Sequence, residues 1–123
     1  MIASNRLSGK IALVTGAASG LGEAISRRYA AEGARVFIAD VDDAAGKAVA
    51  QSLGPAARFV HLDVTDENSW LAALQAVKTQ EGRLDVLVNN AGITTMGSIE
   101  TLSVAGFKNM LEIDLVGVFI GCK

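Results

Sequence analysis

The sequence contains few cysteines, prolines, histidines and aromatic residues, and these scarcities narrow what the protein can be. Its single cysteine, Cys122, cannot form an internal disulfide bond, which indicates a reducing compartment. The longest apolar run, residues 115–122, is too short to cross a bilayer, and the first ten residues contain no hydrophobic signal-peptide core. We therefore expect a cytoplasmic protein that does not bind membranes.

Charged residues and metal ligands are also sparse. Eleven Lys and Arg residues and 13 Asp and Glu residues give a formal net charge of -2, and no basic run is present. This balance argues against a nucleic-acid partner. The one histidine, His61, has no Cys or His companion at ligand spacing, so no metal site is expected.

The sequence does contain an alternation of short apolar runs with segments of helical periodicity. Strands are predicted at 10–16, 35–40, 58–64 and 83–88, and helices at 21–33, 44–53 (capped by Asp42 or Asp43), 67–82 (capped by Thr65 or Asp66) and about 103–123. Three of these strands contain continuously apolar runs, IALV, VFIA and VLV, which are typical of a parallel sheet covered by helices on both faces. The predicted fold class is therefore α/β, a doubly wound parallel sheet with about four strands.

A glycine-rich turn, TGAASGLG, joins the first strand to the first helix. Gly16 permits the chain to turn, while Gly20 and Gly22 allow close backbone approach to a ligand and packing of the helix on the sheet. The helix N-terminus can then bind a diphosphate. The spacing G-x-x-x-G-x-G differs from the common G-x-G-x-x-G, and a tight loop without a ligand is the alternative.

The other three strands also end in polar or small residues. Asp40 can accept hydrogen bonds from both hydroxyls of an adenosine ribose and would repel a 2′-phosphate; no Lys or Arg directly follows it, which favours NAD over NADP. Asp63 and Val64 end the third strand, and residues 89–92 (NNAG) end the fourth. Because these ends meet at one edge of a parallel sheet, they predict one shared cleft. Taken singly, they could be a solvated acid or an Asx-turn.

With these motifs in this order and spacing, and with DLVGVF at 114–119, the chain resembles the short-chain dehydrogenase/reductase family in its "classical" subfamily. The resemblance implies an NAD-binding Rossmann domain over residues 1–123 and hydride transfer between NAD and an alcohol or ketone. It also implies that Ser19, Leu21 and Asp40 contact the phosphates and ribose of NAD, that Asp63 and Val64 hold the adenine, and that Asn90, Ala91 and Gly92 lie along the nucleotide ribose.

Two features depart from the family pattern. The catalytic Ser and Tyr-x-x-x-Lys segment of the family falls after the position at which this chain stops, and the sole tyrosine, Tyr29, has core-facing spacing and no lysine four residues on. Tyr29 is therefore interpreted as a packing residue, and the acid/base group is missing. Asp114 stands where the family usually has Asn, in one helical stripe with Phe107, Leu111 and Val118. It could keep the catalytic role of that Asn, or it could belong to a kinked helix and reach solvent or a nearby N–H.

The last predicted helix reaches Lys123 without a glycine cap, and the fourth strand would leave an apolar sheet edge. We therefore expect the domain to be incomplete at its C-terminus, either as part of a longer enzyme or as a half-domain completed by association. The apolar last helix is expected to form a homo-oligomer, a dimer or a tetramer.

Three functions follow from these features. The first is an NAD-dependent alcohol dehydrogenase or ketoreductase, represented by its cofactor half and acting on a small-molecule alcohol or ketone. The second is a catalytically silent nucleotide-binding module. The third is a methyltransferase, which also uses an acid at the end of the second strand but has no need for NNAG.

Overall fold

Four strands alternate with helices along the chain, as the apolar periodicity predicts. The structure is a computed structural model that describes residues 4–123, so the first three residues of the predicted domain lie outside the described part. In chain order the elements are β1 (Ile11–Thr15), α1 (Gly20–Ala31), β2 (Arg35–Asp40), α2 (Asp43–Leu53), a 3₁₀ turn (Gly54–Ala56), β3 (Ala57–His61), α3 (Glu67–Glu81), β4 (Val86–Val88), α4 (Val104–Leu111), a π-turn (Glu112–Val116) and α5 (Gly117–Cys122).

The strands form one parallel sheet in the order β3-β2-β1-β4. β1 lies inside the sheet, where Leu13 pairs with Phe37 of β2 on one side and with Leu87 of β4 on the other. The chain moves outward from β1 to β3 and then returns to the opposite side of β1. This reversal leaves a crevice at the carboxyl end of β1, the usual ligand site of an open α/β sheet. The predicted α/β class with a doubly wound sheet is confirmed.

The core lies on both faces of this sheet because successive strand residues point to opposite sides. Leu13 and Phe37 pack with Trp70 of α3 on one face. Val14 packs on the other face, with Tyr29 of α1 partly buried against the same cluster. Complete burial of one large apolar side chain stabilises the fold by about 1.5–3 kcal/mol. Tyr29 and Trp70 are packing residues, as the helical spacing predicts.

Side-chain caps set the start of three helices. Asp42 accepts from Ala45 N–H at 3.0 Å and caps α2, which decides between the two predicted aspartates. Asp66 caps α3 by accepting from the backbone N–H of Asn68. Ser103 caps α4, the predicted start of the last helix.

Three strands are shorter than the sequence predicts, and the smallest difference is in β1, which lacks one predicted residue at each end. β3 ends at His61, and the next backbone N–H, that of Leu62, makes the last hydrogen bond of the parallel ladder by donating to Asp40 O at 3.0 Å. β4 begins only at Val86. Before it, the Asp85 carboxylate accepts from Ile11 N–H at 2.8 Å, so a side chain joins this segment to β1.

The last predicted helix is present over residues 104–122, and it contains one feature that its periodicity does not indicate. Residues 112–116 form a π-turn between α4 and α5. A π-turn holds one residue more than an α-helical turn and so rotates the side chains that follow it. Within residues 4–123, no helix is long and apolar enough to cross a membrane.

Candidate functional site

A cleft of about 450 Å³ lies at the carboxyl edge of the sheet, where the four strand ends meet. It holds ten of the eleven residues for which cofactor contact is predicted, together with four that the sequence did not indicate. The predicted members are Gly16, Ser19, Gly20, Leu21, Asp40, Asp63, Val64, Asn90, Ala91 and Gly92, and the additional ones are Val41, Leu62, Ile93 and Ile113. These four are apolar residues adjacent to predicted ones or on the last helix, so no motif singles them out.

Gly16 and Gly20 shape the turn above β1 in different ways. Both have positive φ angles, 63° and 57°, in the region that favours glycine. A Cβ atom added at Gly16 would lie 2.8 Å from the Cα atom of Ala91, so this glycine lets the first turn approach the loop after β4. A Cβ atom at Gly20 would meet nothing within 4 Å. The space beside the Gly20 backbone is therefore open.

Gly22 does not line the cleft. A Cβ atom there would lie 2.6 Å from Asn90 Nδ2 and 2.8 Å from the carbonyl carbon of Gly16. Its lack of a side chain lets α1 pack against the turn, which is the second of the two roles predicted for it. Of the eleven predicted contact residues, Gly22 alone lies behind the cleft wall.

Thr15, which the sequence did not single out, joins the glycine turn to the loop after β4. Its buried hydroxyl accepts from Asn90 N–H at 3.0 Å and Ala91 N–H at 2.9 Å, and donates to Val88 O at 3.3 Å. Asn90 Nδ2 in turn donates to Thr15 O at 2.9 Å and to Gly16 O at 3.3 Å. The sequence signal that could have identified Thr15 is a hydroxyl group at the end of an apolar strand. These contacts explain why an asparagine follows the core strand β4: Asn90 joins the loop after β4 to the glycine turn after β1.

Asn89, the other asparagine of that motif, points elsewhere. Its Nδ2 lies 3.7 Å from Cys122 Sγ, and its Oδ1 lies close to the backbone of Gly121. Asn89 therefore contacts α5, and it is absent from the lining of the cleft.

Asp40 is held at the rim of the cleft by two backbone groups. Oδ2 accepts from Ala18 N–H and Oδ1 from Asp42 N–H, both at 3.0 Å. Each carboxylate oxygen can accept a further hydrogen bond, so the group can still receive two hydroxyls. In the described chain the lining of the cleft includes two aspartates and no Lys or Arg. The site thus offers carboxylate acceptors and no cation for a phosphate at this rim.

Asp63 follows β3, the strand next to β2, and also lines the cleft. Its Oδ1 accepts from the Thr65 hydroxyl at 2.7 Å and from Thr65 N–H at 2.9 Å. These hydrogen bonds, the hydroxyl's foremost, hold the pKa of Asp63 below its ordinary value of 3.8. The carboxylate is therefore ionised and acts only as an acceptor at neutral pH, and within residues 4–123 its Oδ2 receives no hydrogen bond.

Asp114 reaches the cleft through a backbone contact. It lies in the π-turn, and its Oδ1 accepts from Ile93 N–H at 2.8 Å. A Cβ atom added at Gly92 would lie 3.2 Å from the same oxygen. The carboxylate is exposed, so no charge is buried on the apolar face. The contact agrees with the alternative in which the aspartate meets a nearby N–H, and the catalytic role considered for Asp114 stays a prediction.

His61 lies on the edge strand β3 and makes an exposed contact of 2.6 Å with Asp43. Among the residues that the structure describes, no three His, Cys, Asp or Glu side chains are grouped as metal ligands would be.

Comparison with known proteins assigns this arrangement to a family. A family model described as short chain dehydrogenase matches residues 10–123. The chain belongs to the short-chain dehydrogenase family. The resemblance read from the glycine turn, DV and NNAG is confirmed, and so is membership in a family of oxidoreductases that use a nicotinamide cofactor.

Dehydrogenases named for different substrates are similar to this chain over about half of their own length. A 3-alpha-(or 20-beta)-hydroxysteroid dehydrogenase of Mycobacterium tuberculosis is 48% identical over 120 residues, which is 98% of this chain and 46% of the relative. A trans-4-hydroxycyclohexanecarboxylate dehydrogenase of Sinomonas cyclohexanicum is 46% identical over 129 residues, covering 98% of this chain and 50% of the relative. The chain thus spans about half the length of these curated relatives.

A solved structure matches the fold closely. The crystal structure of a 3-ketoacyl-(acyl-carrier-protein) reductase from Brucella melitensis, complexed with NADH, superimposes with a TM-score of 0.89 at 39% identity. The match covers 93% of this chain and 47% of the reductase.

Proposed function

We propose that this chain is the cofactor-binding half of an NAD-dependent oxidoreductase that transfers a hydride between the nicotinamide and a secondary alcohol or ketone. The observation that carries the preference for NAD is Asp40, whose carboxylate stands at the rim of a cleft that lacks a lining Lys or Arg in the described residues. A 2′-phosphate there would face a carboxylate without a compensating cation. The NADH complex of the similar reductase supports the same choice.

The cleft fits a dinucleotide. The open space beside Gly20 at the N-terminus of α1 suits the diphosphate, since Ser19 makes no side-chain capping bond within the described chain and leaves the backbone donors of the first turn to a ligand. Asp40 would hold the adenosine ribose, and Asp63 and Val64 would hold the adenine. When bound, NAD supplies the hydride acceptor of the reaction.

The remaining predicted contacts extend towards the reacting end. Asn90, Ala91 and Gly92 would lie along the nucleotide ribose, and their backbone is held by the Thr15 hydroxyl. Leu21 is 77% exposed beside the turn and would cover the phosphates. A cleft held at its centre by buried hydrogen bonds is pre-organised, which lowers the entropy lost when the ligand binds.

The proton transfer would come from residues outside this half. Residues 1–123 contain one tyrosine, which packs in the core, and no Tyr-x-x-x-Lys segment, while matched relatives are about twice as long. Asp114 stands at the position of the family's Asn and holds the Ile93 backbone, so we propose that it supports the cleft wall rather than accepting the substrate proton.

The substrate class is proposed from the relatives. Two of them are named for a hydroxysteroid and a hydroxycyclohexanecarboxylate, both carrying a secondary alcohol. A panel for this enzyme should therefore begin with cyclic secondary alcohols and their ketones. The second candidate function is a silent nucleotide-binding module.

A binding titration tests the cofactor choice. NADH, NADPH and S-adenosylmethionine are titrated against the 123-residue protein, and we expect NADH to bind at least about tenfold tighter than NADPH, a difference of about 1.4 kcal/mol. Asp40→Ala should reduce this preference, whereas Asp43→Asn, three residues further along and outside the cleft lining, should leave it unchanged. Equal affinity of the unaltered protein for both dinucleotides would disprove the role given to Asp40. Tighter binding of S-adenosylmethionine would support a methyltransferase instead.

Turnover separates the two leading functions. With NAD and the alcohol panel, residues 1–123 alone are expected to produce no NADH absorbance. If the gene encodes a following segment with Tyr-x-x-x-Lys, the longer protein should produce it, and an inactive longer protein would favour the silent module.

A further inference from the structure

We propose that Ser69 and Trp70, in the first turn of α3, are positioning residues that set the preference of the cleft for adenine by holding Asp63 and Val64 in place. This inference rests on the proposed function, because it concerns the base that the same cleft would bind. Neither side chain lines the cleft itself.

Trp70 holds Val64 from behind the cleft wall. Its indole is 2% exposed, and Nε1–H donates to Val64 O at 2.9 Å. The hydrogen bond is buried, so no water replaces it readily, and it fixes the peptide that follows Val64. The Val64 side chain is also nearly buried and borders the cleft.

Ser69 holds the peptide group that precedes Asp63. Its Oγ accepts from Asp63 N–H at 2.9 Å, while the Asp63 carboxylate is turned by Thr65 through Oδ1. The carboxylate thus has one oxygen engaged within the chain. Its other oxygen is left as an acceptor, and its backbone is anchored to α3.

α5 closes this arrangement from the far side. A Cβ atom added at Gly117 would lie 2.7 Å from Val64 Cγ2, and one added at Gly121 would lie 2.8 Å from the indole ring of Trp70. The two glycines therefore let α5 press Val64 and Trp70 together. Val64 is thus held between α3 and α5, while Asp63 is anchored to α3 through Ser69.

A fixed carboxylate oxygen distinguishes bases by their hydrogen-bonding edge. Adenine carries an exocyclic amino group, which can donate to Asp63 Oδ2, whereas hypoxanthine carries a carbonyl oxygen at that position, which a carboxylate repels. If Asp63 and Val64 are held less firmly, the preference for adenine over hypoxanthine should fall. The binding of the sugar and phosphate groups, which the two dinucleotides share, should be weakened less.

The test compares NADH with reduced nicotinamide hypoxanthine dinucleotide by fluorescence titration of the 123-residue protein. The unaltered protein should prefer NADH. Ser69→Ala removes the acceptor of the Asp63 N–H, and Trp70→Phe removes the indole donor while keeping an aromatic ring beside Gly121. Each should weaken NADH binding by about two- to tenfold and lower the ratio of the two affinities.

Two controls separate positioning from general stability. Ser69→Thr keeps the hydroxyl and should keep the ratio, and Leu71→Ala changes an exposed residue of the same helix turn. A loss of stability alone would weaken both dinucleotides equally, and that result, or an unchanged ratio in Ser69→Ala and Trp70→Phe, would overturn the inference. An unaltered protein that binds both dinucleotides equally overturns the inference but not the proposed function. An unaltered protein that binds neither overturns both.

Discussion

The side-chain amide of Asn90 donates to the main-chain oxygen of Thr15 at 2.9 Å, and the Thr15 hydroxyl accepts from the Asn90 backbone N–H at 3.0 Å. The two residues are thus joined by reciprocal hydrogen bonds between the ends of β1 and β4. These strands are neighbours in the sheet although 75 positions separate the two residues in sequence. The reciprocal pair fixes the crevice at which the cleft forms.

Replacing Thr15 tests how strongly this pair holds the cleft. Thr15→Val preserves shape but removes the acceptor of two backbone N–H groups, and an unsatisfied buried group costs about 1–3 kcal/mol. We expect a loss of about 2–4 kcal/mol in the free energy of unfolding, measured by urea denaturation, together with weaker NADH binding. Thr15→Ser keeps the hydroxyl and should lose about 1 kcal/mol. Equal losses for Val and Ser would show that the hydroxyl is not the important group.

The glycines of the turn should respond differently to alanine. Gly20→Ala places a methyl group in open space at a φ of 57°, which costs about 1–2 kcal/mol, and the methyl group should obstruct the diphosphate. Gly22→Ala drives a methyl group into the backbone of Gly16 and should destabilise the fold by about 2 kcal/mol or more. Denaturation and NADH titration of both variants check this. The expectation fails if Gly22→Ala is the more stable protein, or if Gly20→Ala binds NADH as the unaltered protein does.

Asp114 is expected to protect the Ile93 amide from hydrogen exchange. Asp114→Asn keeps an oxygen that can accept from Ile93 N–H, so protection should persist. Asp114→Ala removes the acceptor, and exchange at Ile93 should accelerate by about tenfold. Site-resolved exchange measured by NMR distinguishes the variants. Equal exchange in the Asn and Ala variants would mean that the contact is not maintained in solution.

Acid should destabilise the protein partly through Glu32. This buried carboxylate accepts hydrogen bonds from the Ser4 hydroxyl and from the N–H groups of Ser4 and Arg6, and it pairs with Arg28. These contacts, the Ser4 hydroxyl's foremost, hold the pKa of Glu32 below its ordinary value of 4.5. The unfolded chain therefore takes up the proton first. The stabilisation is present above the ordinary pKa and is lost as pH falls through the lower folded pKa.

A pH series of thermal unfolding checks this expectation. Between about pH 5 and pH 3, Glu32→Gln should lose less unfolding free energy than the unaltered protein, because its side chain does not titrate. Glu23→Gln, on a more exposed part of α1, is the matched control and should follow the unaltered protein. Parallel curves for the unaltered protein and Glu32→Gln would contradict the role of Glu32.

We propose that α4 and α5 form the contact of a homo-oligomer. Phe107, Leu115 and Phe119 are 48%, 62% and 67% exposed on these helices and the π-turn between them, and exposed apolar surface of this kind marks an interaction site. Phe119→Asp should shift the molar mass measured by light scattering towards the monomer. Leu71→Asp, at an equally exposed apolar position on α3, should not. A monomeric unaltered protein at all concentrations would remove the proposal.

Local sequence determined the fold class and the composition of the cleft. Three apolar runs ending near Gly16, Asp40 and Asn89, with a third predicted strand ending at Asp63 and Val64, predict parallel strands, and the strand ends of a parallel sheet share one edge. The helix caps were also predictable, because a capping side chain bonds backbone only two or three residues away. These features depend on short-range hydrogen bonding and on the period of apolar residues.

Only the tertiary structure decided which side chains hold the cleft together. Thr15 with Asn90, Gly22 with Asn90, and Gly117 with Val64 are contacts between segments whose distance depends on how helices pack on the sheet. The π-turn around Asp114 is likewise not indicated by the periodicity, because a helical pattern does not reveal one additional residue in a turn. The hydrogen bond from Ile93 N–H to the Asp114 carboxylate is also a contact between distant segments. Long-range contacts come from packing the whole chain, which a local pattern of residues does not contain.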